Sequence, residues 1–396
     1  MMKLKIMTAV TLTVILLSSC FVPSGWAETQ TGTDPVKVIL DTDFGYMNDD
    51  ALALSMLMKL EEPGSAEVLG ITLSGGNNFI NAGYTGSYGE VQSEVTYITD
   101  FLAETGRTDI PVYRGIEYPV GCSAEKEEEY VRDRMYYTDS DGNEQPRTIL
   151  NNKYGAMWHM SDHKGPLTDS DDAADFMISM ARKYAGELVL IVIGPACNVA
   201  RAVEKDPDFA GNVAAVYMMG GAFGETVQEK DINGNTVCAI DGANTTNLDE
   251  YNVAYDPAAL GALLSAGFGK VVITPGSCNE AVPTDLGETL RNALGSAGNP
   301  ILQLWTEYHE SCVQGYPYWD PMTVYALFCP EKITASLDGY VTVETDTKSE
   351  QYGMTSIISE EQYGVLSLTE QPGYCRATVV LTMDGFYDYL IPLLAG

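Results

Sequence analysis

Positive charge is scarce in this chain: 22 Lys and Arg stand against 55 Asp and Glu, for a net charge of −33 over 396 residues. So negative a surface repels phosphates, which excludes nucleic acid and a bare anionic membrane as partners; neutral small molecules and cations remain compatible with it. The charge also keeps the chain soluble. Histidine is scarcer still, at three residues. None of the eight cysteines forms a C-x-x-C pair, which argues against a zinc ribbon or a thioredoxin-type redox motif, and no bridges are assigned. No repeat of fixed period occurs. The apolar run from Met7 to Leu17 is too short to span a bilayer.

That run, preceded by Lys3 and Lys5, has the layout of a secretory leader. It ends in "LLSSC" at Cys20, which resembles the lipobox of bacterial lipoproteins; simple cleavage after Ala27 in "SGWA" is the alternative. The expected division is a signal peptide at 1–19, a small and polar tether at 20–35 and one large domain at 36–396. The expected location is outside the cytoplasmic membrane. The chain would be held to the outer face of a bacterial membrane by lipid on Cys20, or otherwise secreted.

Apolar runs that read as buried strands alternate with helical patterns: "VKVIL", then "DDALALSMLMKL", "AEVLGITLSGG", "YGEVQSEVTYITDFLAETG" and "IPVYRG", and later "ELVLIVIG", "CNVARAVEK", "VAAVYMMGG", "DPAALGALLSAG" and "KVVITPG". Strict alternation predicts an α/β fold with a mostly parallel central sheet flanked by helices. Ligands in such folds sit beyond the carboxyl ends of the strands. Residues 122–165 and 223–249 are long, polar and weakly periodic, as functional loops are. After Pro330, short alternating runs and a last helix suggest a small C-terminal β appendage.

Four carboxylates, Asp41, Asp43, Asp49 and Asp50, crowd the junction between the first strand and the first helix. An EF-hand needs a preceding helix and a Glu in register, and neither is present. Carboxylates at a strand end beside a helix N-terminus suit a hard cation such as calcium, and the lack of His and Cys disfavours zinc. Helix capping and turn hydrogen bonds are the structural alternative. Asn77 after two glycines also reads as a turn residue, and Asp320 before Pro321 as a cap. Asp256 before Pro257 has the same form, and there the cap is preferred.

"VILDTDFGYMNDDALAL" resembles the signature of the inosine-uridine preferring nucleoside hydrolases, in the variant with two extra residues before the Asp-Asp pair. "VLGITLSGGN", "LVLIVIGPACNVA", "VYMMGGAFG", "NTTNLDEYNVAYDPAA" and "GYPYWDPMTVYAL" follow the later blocks of that family in order, so the resemblance covers nearly everything after residue 35. It implies a calcium-dependent N-ribohydrolase that cleaves ribonucleosides to base and ribose, with a Ca2+-activated water as nucleophile, for nucleoside salvage. By the same resemblance Asp43, Asp50 and Asp320 ligate the metal through carboxylates and Ile193 through its carbonyl, and Asp43 also takes the water's proton. Asp49 and Asn252 hold the ribose 2′- and 3′-hydroxyls. Asn77, Asn244 (or Asn247) and Glu250 hold the sugar on its 5′ side, and Met219 packs beneath it.

Two positions depart from the family pattern. Trp319 stands where well-known members place a His that protonates the leaving base; an indole is no general acid, but it can stack on a planar base. His159, His163 and His309 are candidates for that acid, with exposed loop positions as the alternative. Met47 replaces a further acid of the signature variant. Two other functions fit the same residues: hydrolysis of another ribosylated substrate, and capture of a nucleoside or sugar by a lipoprotein without turnover. The expected partner is a small-molecule nucleoside, no nucleic acid, and a membrane through the lipid anchor alone, with self-association left open.

Overall fold

The structure, a computed structural model, describes residues 34–45, 47–76, 80, 84–85, 91–123, 125–126, 129–130, 132, 136–146, 169–223, 227–230, 236–240, 250–278, 282–295, 299–311, 318–367 and 371–396. The leader, Cys20 and all but the end of the tether lie outside the described residues, as do Asn77, His159, His163, Asn244 and Asn247. His309 lies on a helix, with its side chain outside the described set.

Nine strands make the central sheet: β1 (Val36–Thr42), β2 (Ala66–Leu73), β3 (Val112–Arg114), β4 (Leu188–Val192), β5 (Val213–Met219), β6 (Val271–Thr274), β7 (Ile333–Val343), β8 (Thr355–Ile358) and β9 (Cys375–Met383). Their order is β8-β7-β9-β6-β5-β4-β1-β2-β3. The six strands from the first part of the chain run parallel, with Asp41 level with Thr72 on one side and Val192 on the other. Such strands are covered on both faces, which is why β1 and β4 read as continuous apolar runs rather than alternating ones. The helices that bear on the site and its support are α1 (Asp49–Glu61), α2 (Glu94–Glu104), α3 (Asp172–Lys183), α4 (Cys197–Lys205), α5 (Tyr251–Tyr255), α6 (Pro257–Ser265), α7 (Leu286–Leu294), α8 (Pro300–Ser311), α9 (Asp320–Phe328) and α10 (Phe386–Ala395).

From β1 the chain moves outward through β2 to β3, then returns to the other side of β1 for β4, β5 and β6. Right-handed crossovers in opposite directions put their helices on opposite faces. Accordingly α3, α4 and α6 pack together, while α1 packs with α9 and α10. The reversal of strand order between β1 and β4 opens a crevice at their carboxyl ends. The residues just past those ends are Asp43, Ser74-Gly75-Gly76 and Ile193.

Three expectations change. The helix expected from residue 88 begins at Glu94, because Ser93 Oγ accepts from Thr96 N at 3.3 Å and caps it there. The long polar segments carry short antiparallel hairpins, 136–138 with 144–146 and 227–230 with 236–240. The C-terminal β segment is an extension of the main sheet: β9 lies parallel beside β6, and β7 and β8 add antiparallel edges. Among the described residues Cys197, Cys329 and Cys375 are free thiols, and no helix is long and apolar enough to cross a membrane.

Candidate active site

The floor of the crevice is a set of hydrogen bonds from one amide. Asn198, near the start of α4, donates to Asp41 Oδ1 at 2.8 Å and to Leu73 O at 3.0 Å, and accepts from Ile116 N at 2.9 Å. Thr72 Oγ1 adds a bond to Asp41 at 2.7 Å. The carboxyl ends of β1, β2 and β3 are thereby tied to one side chain, and a Cβ on Gly115 would overlap it. Asp43 lies just beyond, buried, with Gly76 against its carboxylate and Gly194 against its backbone; a side chain at either glycine would collide with it. Those two glycines are required by close approach rather than by turn geometry.

Asn48 caps α1 and brings the Asp pair to the crevice. Asp50 is fully buried and accepts from Thr42 Oγ1 and from Asn48 Nδ2, the latter at 2.6 Å. Asp49 Oδ2 accepts from Trp319 N at 3.2 Å, so the backbone that starts α9 holds it. Asp320, the first residue of α9, is buried, and the N-cap position its sequence form suggested for it belongs to Trp319. One oxygen from each of Asp49, Asp50 and Asp320 lies within 4.8 Å of the others. Asp43 acts on Asp320 electrostatically from close by, after Asp49 and Asp50.

Burial raises the pKa of Asp49 and Asp50, with the Asp50 charge adding to the effect on Asp49. Burial first, then the charges of Asp49, Asp50 and Asp43, holds the Asp320 carboxyl well above the usual carboxylate range. Asp41 is pushed up to about 7 by burial, against the lowering effect of Asn198 and Thr72. Among the described residues, none of Asp41, Asp49, Asp50 and Asp320 takes part in an ion pair. Two ionised carboxylates about 5 Å apart repel by roughly 3 kcal/mol at an effective dielectric constant of 20. Such a group must bind protons or share a cation. An all-oxygen donor set fits a hard divalent ion, and Asp41 Oδ2 is buried close by without a hydrogen-bond partner among the described residues.

The opposite wall comes from α5. Glu250 precedes this short helix and caps it. Its Oε1 accepts from Asn252 N at 3.0 Å, and its Oε2 accepts from Val253 N at 2.8 Å and Gly221 N at 3.0 Å. Three backbone donors hold the Glu250 carboxylate, which positions Asn252, and Oε1 keeps acceptor capacity beyond its one bond. Asn252 Nδ2 donates to Ile193 O at 2.8 Å and approaches Met219 Sδ at 3.3 Å, which gathers Ile193, Met219 and Asn252 at the ends of β4 and β5. Tyr251 OH donates to Gly76 O at 2.6 Å and closes the ring back to β2. Asp256 is a helix cap, as its sequence form indicates: it accepts from Ala259 N at 2.9 Å, and also from Val120 N at 2.6 Å.

The structure thus gathers Asp49, Asp50 and Asp320 on one wall and Ile193, Met219, Glu250 and Asn252 on the other, with Asp43 between β1 and Gly76. Trp319 enters through its backbone. The support from Asp41, Thr72 and Asn198, the donors Thr42 and Asn48, and the glycine contacts at Gly76 and Gly194 received no role in the sequence reading. Asn198 stands inside a quoted motif, yet an amide in the first turn of a helix carries no sequence mark of a three-strand brace.

A carboxylate cluster and an amide arm at the topological reversal of an α/β sheet occupy the place where such scaffolds bind their ligands. The profile of the inosine-uridine preferring nucleoside hydrolases matches residues 38–388, and the chain belongs to that family. It is 26% identical over 319 residues to "Probable uridine nucleosidase 2" of Arabidopsis thaliana, covering 79% of this chain and 83% of the relative. It is 25% identical over 365 residues to the pyrimidine-specific ribonucleoside hydrolase RihA of Escherichia coli K12, covering 90% and 97%. The fold is that of the purine-preferring ribonucleoside hydrolase from Gardnerella vaginalis, with a TM-score of 0.58 at 18% identity over 91% of this chain and 98% of the other. The protein is an N-glycosyl hydrolase acting on ribonucleosides.

Proposed function

We propose that this enzyme cleaves ribonucleosides with Ca2+ as its metal, and that Asp43 is the base. The observation that carries the reading is the convergence of Asp49, Asp50 and Asp320 at one point without a basic partner among the described residues. Asp43, Asp50, Asp320 and the Ile193 carbonyl would hold the ion, with Asp49 close enough to join them. When bound, a divalent cation lowers the pKa of a coordinated water and anchors vicinal hydroxyls.

The chain's own residues do the rest. Asp43, fixed by Gly76 and Gly194, accepts the proton of the attacking water at its carboxylate. Asp49 accepts a hydrogen bond from the ribose 2′-hydroxyl. Asn252 offers its carbonyl and amide to the 3′-hydroxyl, since an amide reads a hydroxyl as donor or acceptor. The surrounding carboxylates favour the positive ribosyl centre that develops as the N-glycosidic bond breaks. Met219 lies under the sugar, and the Trp319 indole stacks on the base. Asn77 and Asn244 hold the 5′ side, and a histidine among His159, His163 and His309 protonates the leaving base. The activity serves nucleoside salvage outside the cytoplasmic membrane, with the chain held by lipid on Cys20; Cys20→Ala should move the protein from the membrane to the soluble fraction at unchanged specific activity.

The test of the reaction is release of reducing sugar from inosine, adenosine, guanosine, uridine and cytidine, each with added Ca2+ and with chelator. Release from at least one, abolished by chelator and restored by Ca2+, is expected. Equal release in chelator would overturn the metal reading.

A further inference from the structure

Glu94 is a buried carboxylate at this edge of the sheet that the acids assigned so far leave without a task. Glu94, the first residue of α2, has no exposed surface, and neither of its carboxylate oxygens has a hydrogen-bond partner among the described residues. No ion pair among the described residues includes it. An acid in the first turn of a helix ordinarily sits in water and interacts with the helix dipole. This one does not.

Its direction follows from the helix. The buried residues of α2 are Glu94, Ile98, Phe101 and Leu102, a spacing that marks a single face. Phe101 packs on Phe44 with ring centroids 5.7 Å apart, and Phe44 is the neighbour of Asp43. The face that carries Glu94 is therefore turned toward the loop between β1 and α1. Glu94 is the member of that face nearest the helix N-terminus. The helix start is anchored to the crevice edge by Val95 N, which donates to Ile80 O at 3.3 Å, shortly past Gly76. Burial raises the Glu94 pKa well above the usual range, and the charges that raise it further are all acids: Asp43 first, then Asp50, Glu117 and Asp41.

An apolar residue would fill this position at no electrostatic cost, whereas a buried carboxylate with two unmatched oxygens is strongly unfavourable unless something binds it. We propose that Glu94 belongs to the cation site: its carboxylate binds the divalent ion, directly or through one bridging water, on the Asp43 side of the cluster. The assignment rests on the reading of that cluster as a calcium site. Six to eight oxygens surround Ca2+, so Asp43, Asp50, Asp320 and one carbonyl leave room for a further carboxylate.

The experiment measures Ca2+ binding directly, by isothermal titration calorimetry on the whole chain, and melting temperature in chelator and in saturating Ca2+. Glu94→Gln, which keeps the shape and removes the charge, should weaken Ca2+ binding at least tenfold. It should also raise the melting temperature in chelator and shrink the rise that Ca2+ produces. Glu94→Met, apolar and of similar size, should do the same and keeps the test open if the Gln variant fails to fold. A Ca2+ affinity within twofold of the parent in either folded variant would overturn the assignment, as would a parent chain that binds no Ca2+. The outcome is separable from that of the proposed reaction. A parent that binds Ca2+ through Glu94 but cleaves no nucleoside removes the reaction and keeps the ligand. Cleavage with unaltered Ca2+ affinity in Glu94→Gln does the reverse.

Discussion

The two ends of helix α1 treat acidic residues in opposite ways. At its C-terminal end Lys59 pairs with Glu62 at 2.6 Å, and Arg107 pairs with Glu61 at 2.7 Å and with Asp109 at 3.0 Å. Glu61 also accepts from Val68 N at 2.8 Å. Each of these acids has a cation beside it. At the N-terminal end Asp49 and Asp50 face Asp320, and the donors that reach them are neutral hydroxyl, amide and backbone groups. A neutral donor orients a carboxylate without cancelling its charge. The first arrangement is complete in itself, and the second is complete only with a ligand.

The sharpest way to break this contrast is at Asp43. Asp43→Asn should lower kcat by about 10³ or more, with circular dichroism and melting temperature little changed; activity near the parent level would remove Asp43 as base. Next comes the metal-free protein across pH. The fold favours the protonated form of Asp41, whose pKa rises from 3.8 to about 7 through burial. Stability from this group is fully present below pH 3.8 and is lost as pH rises through 7. Chelated protein should therefore melt at a lower temperature at pH 8 than at pH 5, and Ca2+ at pH 8 should restore the difference. A flat profile would mean that the chain compensates these acids internally.

A smaller effect is expected at Asn198. Asn198→Ala removes the amide that ties Asp41, Leu73 and Ile116, and should cost about 1–3 kcal/mol of stability through unmet buried groups. Because the brace also sets Asp43, kcat should fall 10- to 100-fold with KM altered less; stability lost at full kcat would make the brace purely structural. Smallest is Arg107→Ala at the paired end of α1. It should change stability by about 1 kcal/mol or less and leave hydrolysis unchanged; a large loss of activity would dissolve the contrast between the ends.

Much of this was legible in residue order. Continuous apolar runs marked the inner strands because a strand covered on both faces cannot alternate, and the acids at the end of β1 stood out because nothing in a packed sheet needs them. Other features are decided by tertiary contacts. "YGEVQSEV" has helical spacing, and a serine inside it ends the ambiguity only when its hydroxyl is seen to cap. Glu250 reads as a sugar contact through resemblance, and its three backbone N–H donors, which make it a helix cap as well, come from residues that only the fold brings together. Glu94 was silent, since an acid at a helix start is ordinary until its burial is known. The alternating runs after Pro330 show strands but not partners, so their union with β6 was invisible.

Thr355, at the start of β8, is buried and exchanges hydrogen bonds with Ala222 in both directions, accepting from its N–H at 3.1 Å and donating to its carbonyl at 2.9 Å. Ala222 adjoins Gly221, whose N–H holds Glu250. Strand β8 is thus a buttress for the arm that carries Glu250 and Asn252. A protease cut between β7 and β8, far along the chain from every acid of the cluster, would loosen Gly221 and the Glu250–Asn252 corner before it disturbed Asp49, Asp50 and Asp320.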